Sequence, residues 1–151
     1  MTLATAAALL ALAAAAPREP HRMKLHASGA FDVKVTPIAD PRPGAFPRLS
    51  IEKTFHGDLE ATASGEMMAS SAAQEAFAAY VALDRVKGTL AGREGTFLLT
   101  HVGTMTSGGQ TLTIAVVPGS GTGGLAGLEG ALTIRIEPDG KHFYGFEGTL
   151  P

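Results

Sequence analysis

The chain has 151 residues, 12 Lys+Arg against 14 Asp+Glu for a formal net charge of −2, and no Cys. That length makes one domain with a real core, the charge balance excludes a nucleic-acid backbone as partner, and the lack of Cys excludes disulfides, thiol nucleophiles and thiolate metal clusters. No apolar run reaches the roughly 18–20 residues of a bilayer span, so no membrane is expected, and 19 Gly with 9 Pro predict tight turns rather than a helical bundle.

Residues 1–22 read as an extension outside the fold. They are rich in alanine, with Leu9, Leu10 and Leu12 as the apolar centre and Pro17-Arg18-Glu19-Pro20 following. Two readings stay open. One is a signal peptide, which implies a secreted or periplasmic protein. The other is an artefact of start-site choice, with translation beginning at Met23 and a cytoplasmic protein.

From Met23 to the C-terminus the hydrophobic period is two, the mark of half-buried strands. Leu25, Ala27, Phe31, Val33 and Val35 alternate with polar residues until Pro37, which is expected to end the first strand. Strands follow over Arg48–Phe55 and Leu59–Ala69, joined by His56-Gly57-Asp58 so that Phe55 faces Leu59. That register gathers Leu49, Ile51, Phe55, Leu59, Ala61, Ala63 and Met67 on one face, with Lys53 alone out of place. A loop over Ser70–Gln74 precedes a fourth strand, Ala76–Leu90, chosen over a helix because Tyr80, Val81, Val86 and Thr89 favour sheets. Ala91-Gly92 turns the chain into Arg93–Met105, and Thr106-Ser107-Gly108-Gly109 into Gln110–Val117. The glycine-rich stretch Pro118–Gly124 reads as a turn, since it lacks the Gly-Lys-Ser/Thr ending of a phosphate cradle. A seventh strand holds Leu132, Ile134 and Ile136. Pro138-Asp139-Gly140 then makes a three-residue hairpin into Lys141–Leu150, setting Ile136 beside His142 and Leu132 beside Phe146.

Eight strands with short turns form either a sandwich or a closed barrel. Glycines inside the strand patterns, among them Gly29, Gly65, Gly103 and Gly148, permit the bends that closure needs, so the expected fold is an all-β, eight-stranded antiparallel barrel over residues 23–151.

Several motifs together resemble an uncharacterised bacterial family known as domain of unknown function 3224. They are Lys53-Thr54-Phe55-His56-Gly57-Asp58-Leu59, Gly65-Glu66-Met67, Tyr80 to Val86 with Gly88, Gly95-Thr96-Phe97, His101 with Gly103-Thr104-Met105, and Ser120-Gly121-Thr122-Gly123 with Leu125-Ala126-Gly127-Leu128. The resemblance runs from about Lys24 to the C-terminus. It implies a barrel similar to that of allene oxide cyclases and dirigent proteins, and it carries over no catalytic residues.

An eight-stranded barrel has room for packed side chains or one small ligand. With Ala91-Gly92 as a two-residue turn, Asp84 faces Leu99 and Ala82 faces His101, so Tyr80, Asp84, Phe97, Leu99 and His101 share a face. His101 and Asp84 are diagonal neighbours within side-chain reach, an arrangement suited to acid–base work, to lining a ligand, or to mutual satisfaction in a core. His56 sits in a turn, where it can contact a ligand at the rim, and Asp58 beside it reads as a cap. Glu52, Glu60 and Glu66 read as a solvated acidic face. His56, His101 and His142 lack metal-ligand spacing, so no metal and no cofactor are expected. The expected function is binding of a small apolar molecule in the lumen. The alternatives are a cofactor-free cyclase or isomerase with His101 as acid or base, and a structural or oligomerisation module with a filled core. Because Leu98 and Val102 make the outer face of the fifth strand apolar as well, a homo-oligomer is expected.

Overall fold

A computed structural model describes residues 21–70 and 77–151. The proposed extension lies outside them up to residue 20, and so does most of the loop expected over Ser70–Gln74. The eight strands are β1 (Met23–Ile38), β2 (Arg48–Gly57), β3 (Leu59–Ala69), β4 (Ala78–Leu90), β5 (Arg93–Thr106), β6 (Gly109–Val116), β7 (Glu129–Ile136) and β8 (His142–Leu150). They pair antiparallel in chain order, and β8 returns to β1 to close a barrel. Odd residues of β1, β2, β3 and β5 and even residues of β4, β6, β7 and β8 face the axis, and every inter-strand register agrees with that parity.

The two hairpins read most closely from sequence form in the expected register. Ala91 and Gly92 both take positive φ (48° and 79°), the two-residue turn that matches strand twist, and Asp84 pairs with Leu99 and Ala82 with His101. Ile136 pairs with His142 and Leu132 with Phe146, around Gly140 at φ 86°.

Three expectations need correction. Pro37 does not end β1; it pairs opposite Leu49, because β8 leaves β1 at Phe31 and the strand beyond has a free edge that tolerates a missing N–H. Phe55 pairs with Ala61 rather than Leu59. The turn residues are engaged by other strands: Asp58 N–H donates to Ser28 O, Ala91 N–H donates to Asp58 O, and Ser28 N–H donates to the Asp58 carboxylate at 2.9 Å. The shift is two residues, so the faces are preserved. Arg22, set outside the barrel by the sequence reading, is bound to it through Thr149 Oγ1 (2.9 Å) and Gly127 O (2.7 Å). Gly29, Gly65 and Gly103 also make room for their neighbours. A Cβ at these positions would collide with Tyr144, Asp84 and Tyr80 respectively, each reaching over from the neighbouring strand.

The barrel differs between its ends. The end carrying the β2–β3 and β4–β5 turns is packed solid by Leu25, Phe55, Leu59, Leu90, Phe97 and Phe146. The glycine-rich segment closes it, since Thr122 N–H donates to Thr96 O and a 3-10 turn at Gly123–Leu125 inserts the fully buried Leu125. At the opposite end the wall is incomplete. β6 and β7 pair only through Ile114–Leu132 and Ala115–Ala131, and β1 continues beyond β8 after the Phe31–His142 pair. There Val35, Met105 and Ile136 face the axis yet are 46%, 50% and 61% exposed. We call this the open end.

Candidate functional site

At the floor of the open end lies a charged cluster in an otherwise apolar interior. Lys53 on β2 and Asp84 on β4 are two strands, about 10 Å, apart. The lysine stem crosses the inner face of β3 where Ala63 and Gly65 leave it clear. Lys53 Nζ donates to Asp84 Oδ2 at 2.5 Å, and His101 Nε2 lies 3.1 Å from the same oxygen. Asp84 is fully buried, and Lys53 and His101 are nearly so. Asp84 Oδ1 is buried with no hydrogen-bond partner among the described residues and lies against Gly65. Burial pushes the Asp84 carboxyl upward. The His101 hydrogen bond and the adjacent Lys53 ammonium outweigh that and hold it below the ordinary carboxylate range.

Tyr80 faces inward on the same strand, half-buried, its ring covering Gly103, and burial raises its phenol. Phe97 and Leu99 lie further from the open end on β5, buried in the core beneath the cluster. His56 points outward. Its Nε2 is 3.4 Å from Asp32, and both border an open depression of about 470 Å³ on the outer side where β1 leaves β8, which Asp139 and Lys141 of the β7–β8 turn and the edges of Phe31, Val33 and His142 also line. Val33 is the cross-strand partner of Lys53, so this depression reaches within one strand of the cluster. Among the described residues no set of three His, Cys, Asp or Glu side chains converges on a metal position. Glu52, Glu60 and Glu66 are all exposed on the outer face, where Glu66 pairs with Arg48.

Two inward polar residues escaped the sequence reading. Lys53 was noticed only as an exception to the apolar face; its odd position between Ile51 and Phe55 was itself the signal, because a lone charge at an inward position requires a buried partner. Tyr144 is the second. Its hydroxyl accepts the buried Leu59 N–H at 2.8 Å and lies 3.1 Å from both Ser28 O and His56 O, to one of which it donates. Burial, with Asp58 and Glu60 nearby, raises that phenol although the Leu59 N–H opposes the shift.

These features define a closed antiparallel β-barrel with a charged pair and a histidine beneath one incompletely walled end. The model of a family described as protein of unknown function (DUF3224) matches residues 27–147, and the chain belongs to that family. A crystal structure of a DUF3224 protein of unknown function from Shewanella oneidensis MR-1 is 42% identical, covering 85% of this chain and 97% of that one with a TM-score of 0.74. No curated protein matches the chain.

Proposed function

We propose that the barrel binds a small, largely apolar molecule at its open end. The observation that carries this reading is the exposure of side chains that face the axis at the open end, Val35 on β1, Met105 on β5 and Ile136 on β7. Apolar groups pointing into a barrel are normally covered, and a ligand covers them here. The kinship with allene oxide cyclase-like and dirigent-like barrels belongs to this proposal, supported by the closed eight-stranded topology. Calorimetric titration with 4-phenylbutan-1-ol tests it. Binding that is lost in Val33→Trp on the inner face and kept in Val102→Trp on the outer face supports the reading. The reverse pattern overturns it.

A second reading, a cyclase or isomerase using His101 as acid or base, draws on the 3.1 Å contact that orients its imidazole on Asp84. Replacing His101 by Ala then abolishes turnover of a bound substrate while leaving its affinity nearly intact; unchanged turnover ends that reading. We also propose that the outer face of β4–β6 is covered by a second copy of the chain. Val81, Leu83, Thr100, Val102 and Thr113 adjoin one another there, bordered by Glu66 opposite Leu83 and by Arg85 opposite Leu98, and Val81, Leu83 and Val102 are about half exposed. A neutral patch opposes no charge when it meets itself across a two-fold axis.

A further inference from the structure

Independently of any ligand, we propose that Lys53 and Asp84 condense to an amide within the folded barrel, so that the ion pair is the precursor of an internal cross-link. Three observations carry this. Lys53 Nζ stands 2.5 Å from Asp84 Oδ2, so Cγ, one C–O bond further on, lies within about 3.7 Å of the nitrogen. That is close to the separation of about 3–3.5 Å from which reacting atoms meet. The pair is also dry. Asp84, Lys53 and His101 are buried, and the inward residues beside them on β2, β4 and β5 include the buried Ile51, Phe55, Ala82, Val86 and Leu99. Burying two charges is costly even when they are paired, and an amide carries none. Finally, Asp84 Oδ1 is buried against Gly65 with no hydrogen-bond partner among the described residues. An unpaired oxygen costs more on a carboxylate than on a neutral carbonyl, and in the amide Oδ1 is a neutral carbonyl oxygen.

The step balances without a co-reactant. The resting pair is ionised. One ammonium proton crosses the hydrogen bond to Oδ2, leaving a neutral amine and a carboxylic acid, the uncharged form that burial favours. The Nζ lone pair then adds to Cγ, and the carbonyl electron pair moves onto Oδ1. His101 Nε2, 3.1 Å from Oδ2, takes a second proton from Nζ and hands it to Oδ2. As the carbonyl at Oδ1 reforms, the Cγ–Oδ2 bond breaks and Oδ2 leaves as water with two of the three ammonium protons. The third stays on the amide nitrogen. Held in one fold, two well-oriented groups react as if at about 10⁵–10⁸ M, which offsets the preference of bulk water for the hydrolysed pair. The product ties β2 to β4 across β3, between positions 31 residues apart, in a chain without cysteine. It restrains the unfolded chain as a disulfide would.

The test compares the intact mass of freshly purified protein with that of folded protein aged for several weeks. The expected change is the loss of one water molecule. Closure also consumes the Asp84 carboxyl, so aged protein no longer shows the acid-side loss of stability that this group gives the open pair. Glutamyl endopeptidase cuts between the two residues, after Glu60, Glu66 and Glu75. Digestion of aged protein is therefore expected to give a branched product that joins the peptide with Lys53 to the peptide with Asp84. Dehydration elsewhere, such as a succinimide at Asp139-Gly140, also removes one water but leaves those two peptides separate. Separate peptides, with or without a loss of mass, overturn the proposal. Lys53→Met gives no branched product, and His101→Gln slows its appearance at least tenfold; an equal rate overturns the relay through His101. The wild-type digest decides the matter even where a variant does not fold.

Discussion

Replacing Lys53 by Met asks what the buried pair contributes, and the structure sets the size of the answer. The methionine fills the space of the lysine stem over Ala63 and Gly65 but leaves Asp84, fully buried, with His101 as its one remaining side-chain partner. At the observed 2.5 Å the pair's Coulomb attraction at an effective dielectric of 20 is about 7 kcal/mol. Much of that is cancelled by the cost of burying the lysine, and breaking a buried pair from one side typically costs about 3–5 kcal/mol. A second route limits the loss, because Asp84 can take a proton. Protonating a carboxyl of unfolded pKa about 3.9 at pH 7 costs about 4 kcal/mol, and at pH 5 about 1.5 kcal/mol. The variant's folded state then binds one more proton than its unfolded state, so its stability falls as pH rises and recovers toward pH 5. The wild type behaves oppositely over acid pH. Urea unfolding followed by far-ultraviolet circular dichroism at several pH values reads both quantities. A variant within about 1 kcal/mol of wild type at neutral pH, with a parallel pH dependence, would show that the pair is effectively solvated and refute the reasoning.

Other outcomes follow from the same contacts. Because the folded Asp84 carboxyl lies below its ordinary range, its contribution is complete above about pH 4 and is lost as pH falls through the depressed folded value; Asp84→Asn flattens that acid limb in the same unfolding experiment. Tyr144→Phe orphans the buried Leu59 N–H and costs about 1–3 kcal/mol, measured by urea midpoint, without altering the affinity for 4-phenylbutanol. Gly65→Ala drives a methyl group into Asp84 and the Leu83 carbonyl and destabilises the fold by more than Gly44→Ala, whose position has open space, despite the positive φ at Gly44. Sedimentation equilibrium shows a dimer or higher species that Val102→Lys returns to monomer; a wild-type monomer at micromolar concentration removes the proposed outer interface.

The barrel was legible because alternation and turn chemistry act locally. The Ala91-Gly92 and Pro138-Asp139-Gly140 turns each fix a register within their own hairpin, and the two registers carry His101 to Asp84 and His142 to Ile136. The β2–β3 turn slipped by two residues because its polar groups answer to Ser28 and Ala91, contacts between strands that no local pattern displays. The candidate site divides in the same way. The Asp84–His101 contact lies within one hairpin and could be built from spacing alone. Lys53 reaches Asp84 across the intervening β3, a contact that no single hairpin register displays. The glycines are legible only in part, because a sequence marks where a side chain is missing but not which neighbour fills the room.

If the barrel receives a ligand, its receptive part is the inner surface at the end where β6 and β7 separate. Methyl-resolved NMR spectra recorded during titration with 4-phenylbutan-1-ol examine that surface directly. The account predicts shifts for Val33, Val35, Leu112, Ile134 and Ile136, with Leu90, Leu125 and Leu128 at the packed end and Val81, Leu83 and Val102 on the outside unmoved. Shifts confined to the outer face or to the packed end contradict it.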